Sequence, residues 1–224
     1  MKRWRFNIGQ AFPHDKPIAL WLASLSIATN DLVLSNVRMS EAFARDGESP
    51  SPEGIYFVRL SASHFREAVK ILTGAESDPD VKAFIESLPD DALADYRQLH
   101  EAFHPWRGSF VEQFAKPLRD RFLHYPSLKE DQAGLIKALH DLASVDSGIT
   151  LGTEHNLANL RFDFADEIAS NWGIGAVVAG DQTQLAMQMG HLAELTNALL
   201  RFLQYALAEY INRLPEGTVD LHES

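Results

Sequence analysis

The segment from Ser109 to Pro126 contains side chains that can bind a phosphate and move a proton. Its sequence is SFVEQFAKPLRDRFLHYP, in which Arg119 is followed by Asp120 and, after four intervening residues, by His124. An arginine holds a phosphate through its planar guanidinium, and a histidine can take up or release a proton near neutral pH. These residue types are a minimal set for cutting RNA without a metal ion.

A helix is predicted over this segment. Ser109 and Glu112 have the spacing of a capping box, in which each side chain accepts a hydrogen bond from the other residue's backbone N–H. Every fourth residue is then apolar, which predicts one buried helix face made of Phe110, Phe114, Leu118 and Phe122. Pro117 lacks a backbone N–H, so we expect the helix to bend there.

The directions of Arg119 and His124 decide whether they can share a ligand. On a continuous helix their side chains would point about 140 degrees apart. Pro126 disfavours helical geometry in the residue before it, so we expect His124 to lie where the helix frays. Both side chains can then reach one small anion. Further basic residues near the pair predict a local positive groove: Arg107, Lys116 and Arg121.

A second motif competes with the first, namely His100-Glu101-Ala102-Phe103-His104. On a helix, two histidines at this HExxH spacing can share a zinc ion while the glutamate activates a water molecule. Pro105 follows directly and moves His104 away from helical dihedrals, which opposes shared coordination. The main prediction is therefore that His100, Glu101 and His104 face water, with no metal or other cofactor. A zinc hydrolase using these residues stays an alternative.

Composition indicates a globular protein with a substantial core, because 46% of the 224 residues are apolar and 23% are charged. Cysteine is absent, which excludes disulfides and thiolate metal sites. The start lacks the apolar run of a signal peptide, and polar residues interrupt the apolar stretch Ile18–Leu34, which predicts a core helix. We therefore expect a soluble, cytoplasmic protein that does not enter a membrane. The net charge of −11 opposes binding of a long polyanion outside a local basic groove.

Helical periodicity dominates the chain and predicts an all-α, multi-helix bundle. We expect a single helical domain over residues 1–224. Its longest helix begins at Asp181 and ends near Leu214, with a broad apolar stripe. Residues 146–180 break the helical pattern, and alternation between about 148 and 178 predicts a small β element there.

The run from Arg119 to His124 resembles the R-x(4–6)-H signature of the HEPN superfamily, in which Asn, Asp or His often follows the arginine. The resemblance implies a helical bundle and, in many members, metal-independent RNA cleavage by toxins or defence proteins. It implies that Arg119 binds phosphate, His124 acts as general acid or base, and Asp120 orients them. Tyr125 would be a supporting hydroxyl, and Arg121 is a further supporting residue with a positive charge. Such proteins commonly form homodimers in which two motifs face one cleft.

Three functions follow from these patterns. The first is a HEPN-like endoribonuclease of toxin or defence type, with RNA as substrate and an antitoxin as a possible partner. The second is a non-catalytic helical dimerisation or interaction protein that uses the long C-terminal helix as its contact surface. The third is the zinc hydrolase with His100 and His104 as ligands and Glu101 as base.

Overall fold

The chain forms an all-α, multi-helix bundle with little strand, as the periodicity predicts. The structure is a computed structural model. It describes residues 2–46, 52–103, 108–122, 132–147, 149–150, 161–162 and 182–223, with the separate positions 165, 168–169 and 171.

The described elements follow the chain in the order β1, α1 to α7, β2, β3, α8 and β4. Their bounds are β1 Lys2–Phe6, α1 Ile8–Ala11, α2 Pro17–Asp46, α3 Pro52–Gly74, α4 Pro79–Glu86, α5 Asp90–Phe103, α6 Lys116–Phe122, α7 Gln132–Asp141, β2 Ile149–Thr150, β3 Arg161–Phe162, α8 Gln182–Asn212 and β4 Val219–Glu223. A 3-10 turn at Ala75–Ser77 follows α3, and a π-helical turn at Val111–Ala115 leads into α6. The predicted long C-terminal helix is confirmed as α8.

The start of α4 shows how the sequence sets helix boundaries. Asp78 is the N-cap residue, and its Oδ1 accepts hydrogen bonds from the backbone N–H groups of Asp80 at 2.9 Å and Val81 at 3.1 Å. Pro79 occupies the first helical position. A backbone N–H at this position would have no acceptor within the helix, so proline costs no hydrogen bond there. A short polar and proline signal of this kind is enough to fix where a helix begins.

Two small antiparallel pairs make up the described strands. β1 pairs with β4, with Lys2 opposite Glu223 and Phe6 opposite Val219. β2 pairs with β3, with Ile149 opposite Phe162. This second pair lies within the segment where the sequence predicts a small β element, and the described residues give two on each strand.

The chain divides into two compact units. Unit 1 contains residues 1–32, 64–109 and 192–224, and unit 2 contains residues 33–63 and 110–191. Each of α2, α3 and α8 therefore contributes one part to each unit. The expectation of a single domain over residues 1–224 stays a prediction.

Aromatic rings organise the core of unit 1. The Trp21 ring meets Phe84 and Phe202 edge-on at centroid distances of 6.3 and 6.1 Å. Its indole Nε1–H donates to the carbonyl oxygen of Ile71 at 3.2 Å, which satisfies a polar group inside the core. Fully buried aliphatic and aromatic side chains complete this core: Leu22, Leu25, Phe65, Leu72, Leu99 and Leu199.

The core of unit 2 includes the face predicted for the Ser109–Pro126 segment. Phe110, Phe114 and Leu118 are all buried, and the rings of Phe110 and Phe114 lie 5.3 Å apart. Elsewhere in this unit the Ser61 hydroxyl donates to the Ser35 hydroxyl at 3.1 Å, so that buried pair is hydrogen-bonded. The periodic apolar stripe is thus confirmed for three of its four residues.

Helix α2 is long and apolar enough, by length and composition over Pro17–Arg45, to cross a membrane. Core helices of soluble proteins also meet that criterion. Trp21, Leu22, Leu25 and Leu32 of α2 are buried in unit 1, which agrees with the predicted core helix.

Candidate functional site

The backbone that carries the predicted RNA-cutting residues is a π-helical turn followed by α6. In a regular α-helix the residue at position 117 would donate its N–H to the carbonyl of Gln113. Proline has no N–H, and its ring clashes with that carbonyl. The wider turn at Val111–Ala115 relieves this clash, and turns of this kind occur frequently at functional sites. The sequence predicts a bend at Pro117, and the structure replaces a simple bend with a π turn.

The structure describes some of the predicted site residues and leaves others outside its range. Arg119 and Arg121 lie in α6, and Asp120 between them is exposed. His124 and Tyr125 lie outside the described residues. Helix α6 ends at Phe122, two residues before His124 in the sequence. Convergence of Arg119 and His124 therefore stays a prediction.

The positive charge of Lys116, the first residue of α6, is partly compensated. The Lys116 ammonium group lies 2.8 Å from Glu112 Oε2, one helical turn earlier, and both side chains are partly exposed. The acid that the capping-box pattern assigns to the helix start is thus also an ion-pair partner. Within the predicted basic groove, Lys116 is a weaker attractor of phosphate than its formal charge indicates.

The HExxH motif lies at the end of α5, which ends at Phe103, one residue before His104. His100 Nε2 lies 3.3 Å from Glu76 Oε1, and Glu101 is exposed. His104 lies outside the described residues. Among the described residues, no group of three or more His, Asp or Glu side chains is arranged to hold a metal ion. The zinc alternative stays a prediction, and a carboxylate already occupies Nε2 of its first histidine.

Glu76 joins Tyr96 and His100 in a small polar cluster of unit 1. The Tyr96 hydroxyl donates to Glu76 Oε1 at 2.7 Å, the same oxygen that faces His100. Burial raises the pKa of Tyr96 well above its ordinary value, and the hydrogen bond and negative charge of Glu76 raise it further. The phenol is therefore a proton donor in a fixed contact and is unsuited to act as a base.

The sequence indicates that Tyr96 and His100 are neighbours, but it does not indicate that Glu76 joins them. Tyr96 and His100 are four residues apart on α5, so they share a helix face. Glu76 lies in a 3-10 turn twenty residues earlier than Tyr96, and no periodicity points to it. The pairing could not be predicted from local pattern.

A second polar contact missed by sequence reasoning joins α5 to α8 in unit 1. Both oxygens of Asp95 accept hydrogen bonds from Arg201, at 2.6 Å from Nη2 and 3.1 Å from Nε. The Asp95 side chain is 10% exposed, while that of Arg201 is 54% exposed. This geometry is the bidentate form in which a carboxylate fixes a guanidinium. The contact joins α5 to α8 through a nearly buried carboxylate, which is a structural role.

Comparisons of the chain with protein-family models, with curated proteins and with solved structures find no match in any of the three. The likeness of the Arg119–His124 run to the HEPN signature thus stays a prediction. Function must be inferred from this chain's own residues.

Proposed function

We propose that the protein is a HEPN-like, metal-independent endoribonuclease with Arg119, Asp120 and His124 at its active site. The observation that carries the proposal is the backbone at α6. A π turn fixes the start of this helix, which carries Arg119 beside the exposed Asp120 and ends two residues before His124. An exposed carboxylate next to the arginine is compatible with a site that solvent and substrate can reach.

Each group has one step in the proposed reaction. His124 takes the proton of the RNA 2′-hydroxyl, and that oxygen attacks the adjacent phosphorus. The bond from phosphorus to the 5′-oxygen breaks, and that oxygen receives a proton from the second histidine of a composite dimer site. Arg119 stabilises the negative charge that develops on the phosphate oxygens. The products are a 2′,3′-cyclic phosphate and a free 5′-hydroxyl.

Arg121 and Tyr125 have supporting roles in this proposal. Arg121 adds positive charge along the RNA backbone, and Tyr125 offers a hydroxyl to a phosphate oxygen. Lys116 is already paired with Glu112 in this segment, so the proposal assigns the phosphate contacts to Arg119 and Arg121. A short, accessible RNA segment suits such a site better than a long duplex, given the net charge of −11.

The test is cleavage of an end-labelled RNA in excess EDTA. We expect the wild-type protein to produce fragments ending in cyclic phosphate. Arg119→Ala and His124→Ala should each lower the rate by roughly a hundredfold to ten-thousandfold, the usual cost of removing a charge-stabilising group or a general acid–base. Matched controls are Arg38→Ala and His140→Ala, since both side chains are exposed on other helices of unit 2. These controls should cleave as the wild type does.

Two results would contradict the proposal. One is cleavage that persists in both Arg119→Ala and His124→Ala. The other is cleavage that requires a divalent metal ion, and stoichiometric zinc in the purified protein would then favour the His100, Glu101 and His104 site.

A non-catalytic interaction protein is the second candidate, and the surface of α2 favours it. In the unit 1 part of α2, Leu20 and Ile27 are seven residues apart, and each is more than half exposed. Apolar residues at this spacing are typical of helices that pack against another helix. The apolar stripe of α8 is less suitable as a contact surface, because Leu192, Leu199, Phe202 and Ala206 are buried in unit 1. A folded dimer that is inert on RNA, with and without metal, would favour this candidate.

A further inference from the structure

Unit 1 contains a cavity of about 590 Å³ at the point where α1, α2, α4 and the end of α8 meet. Its volume lies within the range of roughly 300 to 1,000 Å³ that is usual for small-molecule sites. Most of its lining is apolar: Pro13, Ile18, Ala83, Phe84, Leu214 and Pro215. All of its lining residues belong to unit 1, so the inference drawn from this cavity does not rest on the proposed RNA cleavage.

The walls of the cavity are held by contacts that do not depend on a ligand. The Tyr210 hydroxyl donates to the carbonyl oxygen of Ala11 at 2.7 Å, and this contact is buried. The Tyr210 ring meets Phe84 edge-on at 6.5 Å, and Phe84 meets Trp21 in the same way. The aromatic wall is therefore part of the core of unit 1 and is formed before any ligand binds.

One charged wall residue is already fixed in place. The Arg213 guanidinium lies 5.1 Å from the centre of the Phe84 ring. Its Nε donates to Glu209 Oε1 at 2.9 Å, and its Nη2 donates to the Ser87 hydroxyl at 2.8 Å. A planar cation that is held on three sides has little rotamer freedom left to lose when a ligand binds beside it.

Two further charged residues line the cavity, Lys16 and Asp80. Lys16 lines it, and within the described part of the chain its ammonium group has no ion-pair or hydrogen-bond partner. Asp80 also lines it and lies in the first turn of α4, where the positive end of the helix dipole offsets part of its negative charge. Lys16 is thus the lining cation whose ammonium group can pair with a ligand.

We propose that this cavity binds a small amphipathic carboxylate. The apolar body of the ligand, aromatic or aliphatic, packs against Phe84 and Leu214, and its carboxylate pairs with Lys16 beside Arg213. Apolar walls with a few fixed polar groups are the usual composition of such a site, in which apolar burial supplies affinity and the charges set orientation.

The experiment compares two rigid probes of nearly equal shape, 2-naphthoate and the neutral 2-naphthalenemethanol, in calorimetric titrations of the full chain. We expect naphthoate to bind more tightly than the alcohol. Lys16→Gln should weaken naphthoate binding roughly two- to fivefold, as expected for one partly exposed ion pair, and leave the alcohol unaffected. Ala83→Trp, at a lining position of α4, should occupy part of the cavity and weaken binding of both probes.

Lys82→Gln is the matched control, because Lys82 lies on α4 next to Ala83, is paired with Glu86 and does not line the cavity. It should bind both probes as the wild type does, and thermal melts should show that every variant is folded. Equal affinity for the two probes, with no effect of Lys16→Gln, would overturn the assignment of an anionic ligand. Unchanged binding in Ala83→Trp would overturn the site itself.

Discussion

Asp95 in α5 and Asp120 in α6 differ in how they meet solvent. Asp95 is nearly buried, and both of its oxygens bind Arg201 of α8 in unit 1. Asp120 is exposed in unit 2 and follows Arg119 in the sequence. The first aspartate holds its arginine through two parallel hydrogen bonds and fixes the direction of that side chain. The second is in contact with solvent.

The difference between the two aspartates is one of burial and partner, and it predicts different roles for the two charges. A bidentate pair at low exposure contributes to the uniqueness of the packing, and removing one partner leaves a charge without compensation. An exposed carboxylate contributes little to folding, because water replaces any partner that it loses. Mutations at the two positions should therefore change different measurements, stability in one case and activity in the other.

The largest effect on stability is expected for Arg201→Met, which keeps the length of the side chain and removes its charge. Asp95 is then left nearly buried without its cation, and the free energy of unfolding should fall by about 3 kcal/mol. Asp95→Asn should cost less, about 1 kcal/mol, since the half-exposed Arg201 regains water. Urea unfolding followed by tryptophan fluorescence measures both.

The control for this pair is Arg38→Met, which breaks the exposed contact between Arg38 and Glu41. Its free energy of unfolding should stay within about 0.5 kcal/mol of the wild type. Equal losses for Arg201→Met and Arg38→Met would show that Asp95 is effectively hydrated and that burial does not separate the two kinds of charge.

A smaller effect, which depends on pH, is expected for Tyr96→Phe. At neutral pH it removes the hydrogen bond to Glu76 and should cost about 1 kcal/mol. Burial is the larger cause that raises the folded-state pKa of Tyr96 above its ordinary value of 10.0, and the contact with Glu76 is the smaller one. The folded protein therefore keeps a phenol proton that the unfolded chain releases at high pH. The stability that Tyr96 contributes is complete below pH 10 and is lost as the pH rises beyond it.

Unfolding curves between pH 8 and pH 11.5 measure that dependence. The wild type should lose stability above about pH 10 more steeply than Tyr96→Phe does. Tyr56→Phe, at an exposed position of α3, should follow the wild-type profile. Identical profiles for the wild type and Tyr96→Phe would contradict the raised pKa and, with it, the fixed contact to Glu76.

Local chemistry explains why the helices were predictable. Pro17, Pro52 and Pro79 each stand at the first residue of a helix, and the acidic residues at Asp78 and Asp90 cap or begin α4 and α5. These signals act within one turn, so one sequence is enough to reveal them. The apolar face of Phe110, Phe114 and Leu118 was predictable for the same reason.

Contacts between distant residues explain what the sequence could not predict. Arg201 and Asp95 are 106 positions apart, and Tyr210 reaches the carbonyl of Ala11 across 199 positions. The cavity of unit 1 draws on three such distant segments. The π turn was missed for a different reason. Pro117 predicts that a regular α-helix is disrupted, but it does not predict which backbone geometry replaces it.

The smallest change in stability is expected for Asp120→Ala. Because Asp120 is exposed, its loss should alter the free energy of unfolding by less than about 0.5 kcal/mol, although the proposed RNA cleavage should fall. Asp120→Asn should restore most of the activity, since an amide can still orient Arg119 through a hydrogen bond. End-labelled RNA in EDTA measures the rates, and urea unfolding measures the stability.

A loss of stability as large as that of Arg201→Met would make Asp120 a second structural aspartate and remove the contrast with Asp95. Unchanged cleavage in Asp120→Ala would instead leave Arg119 and His124 as the proposed site without an orienting carboxylate.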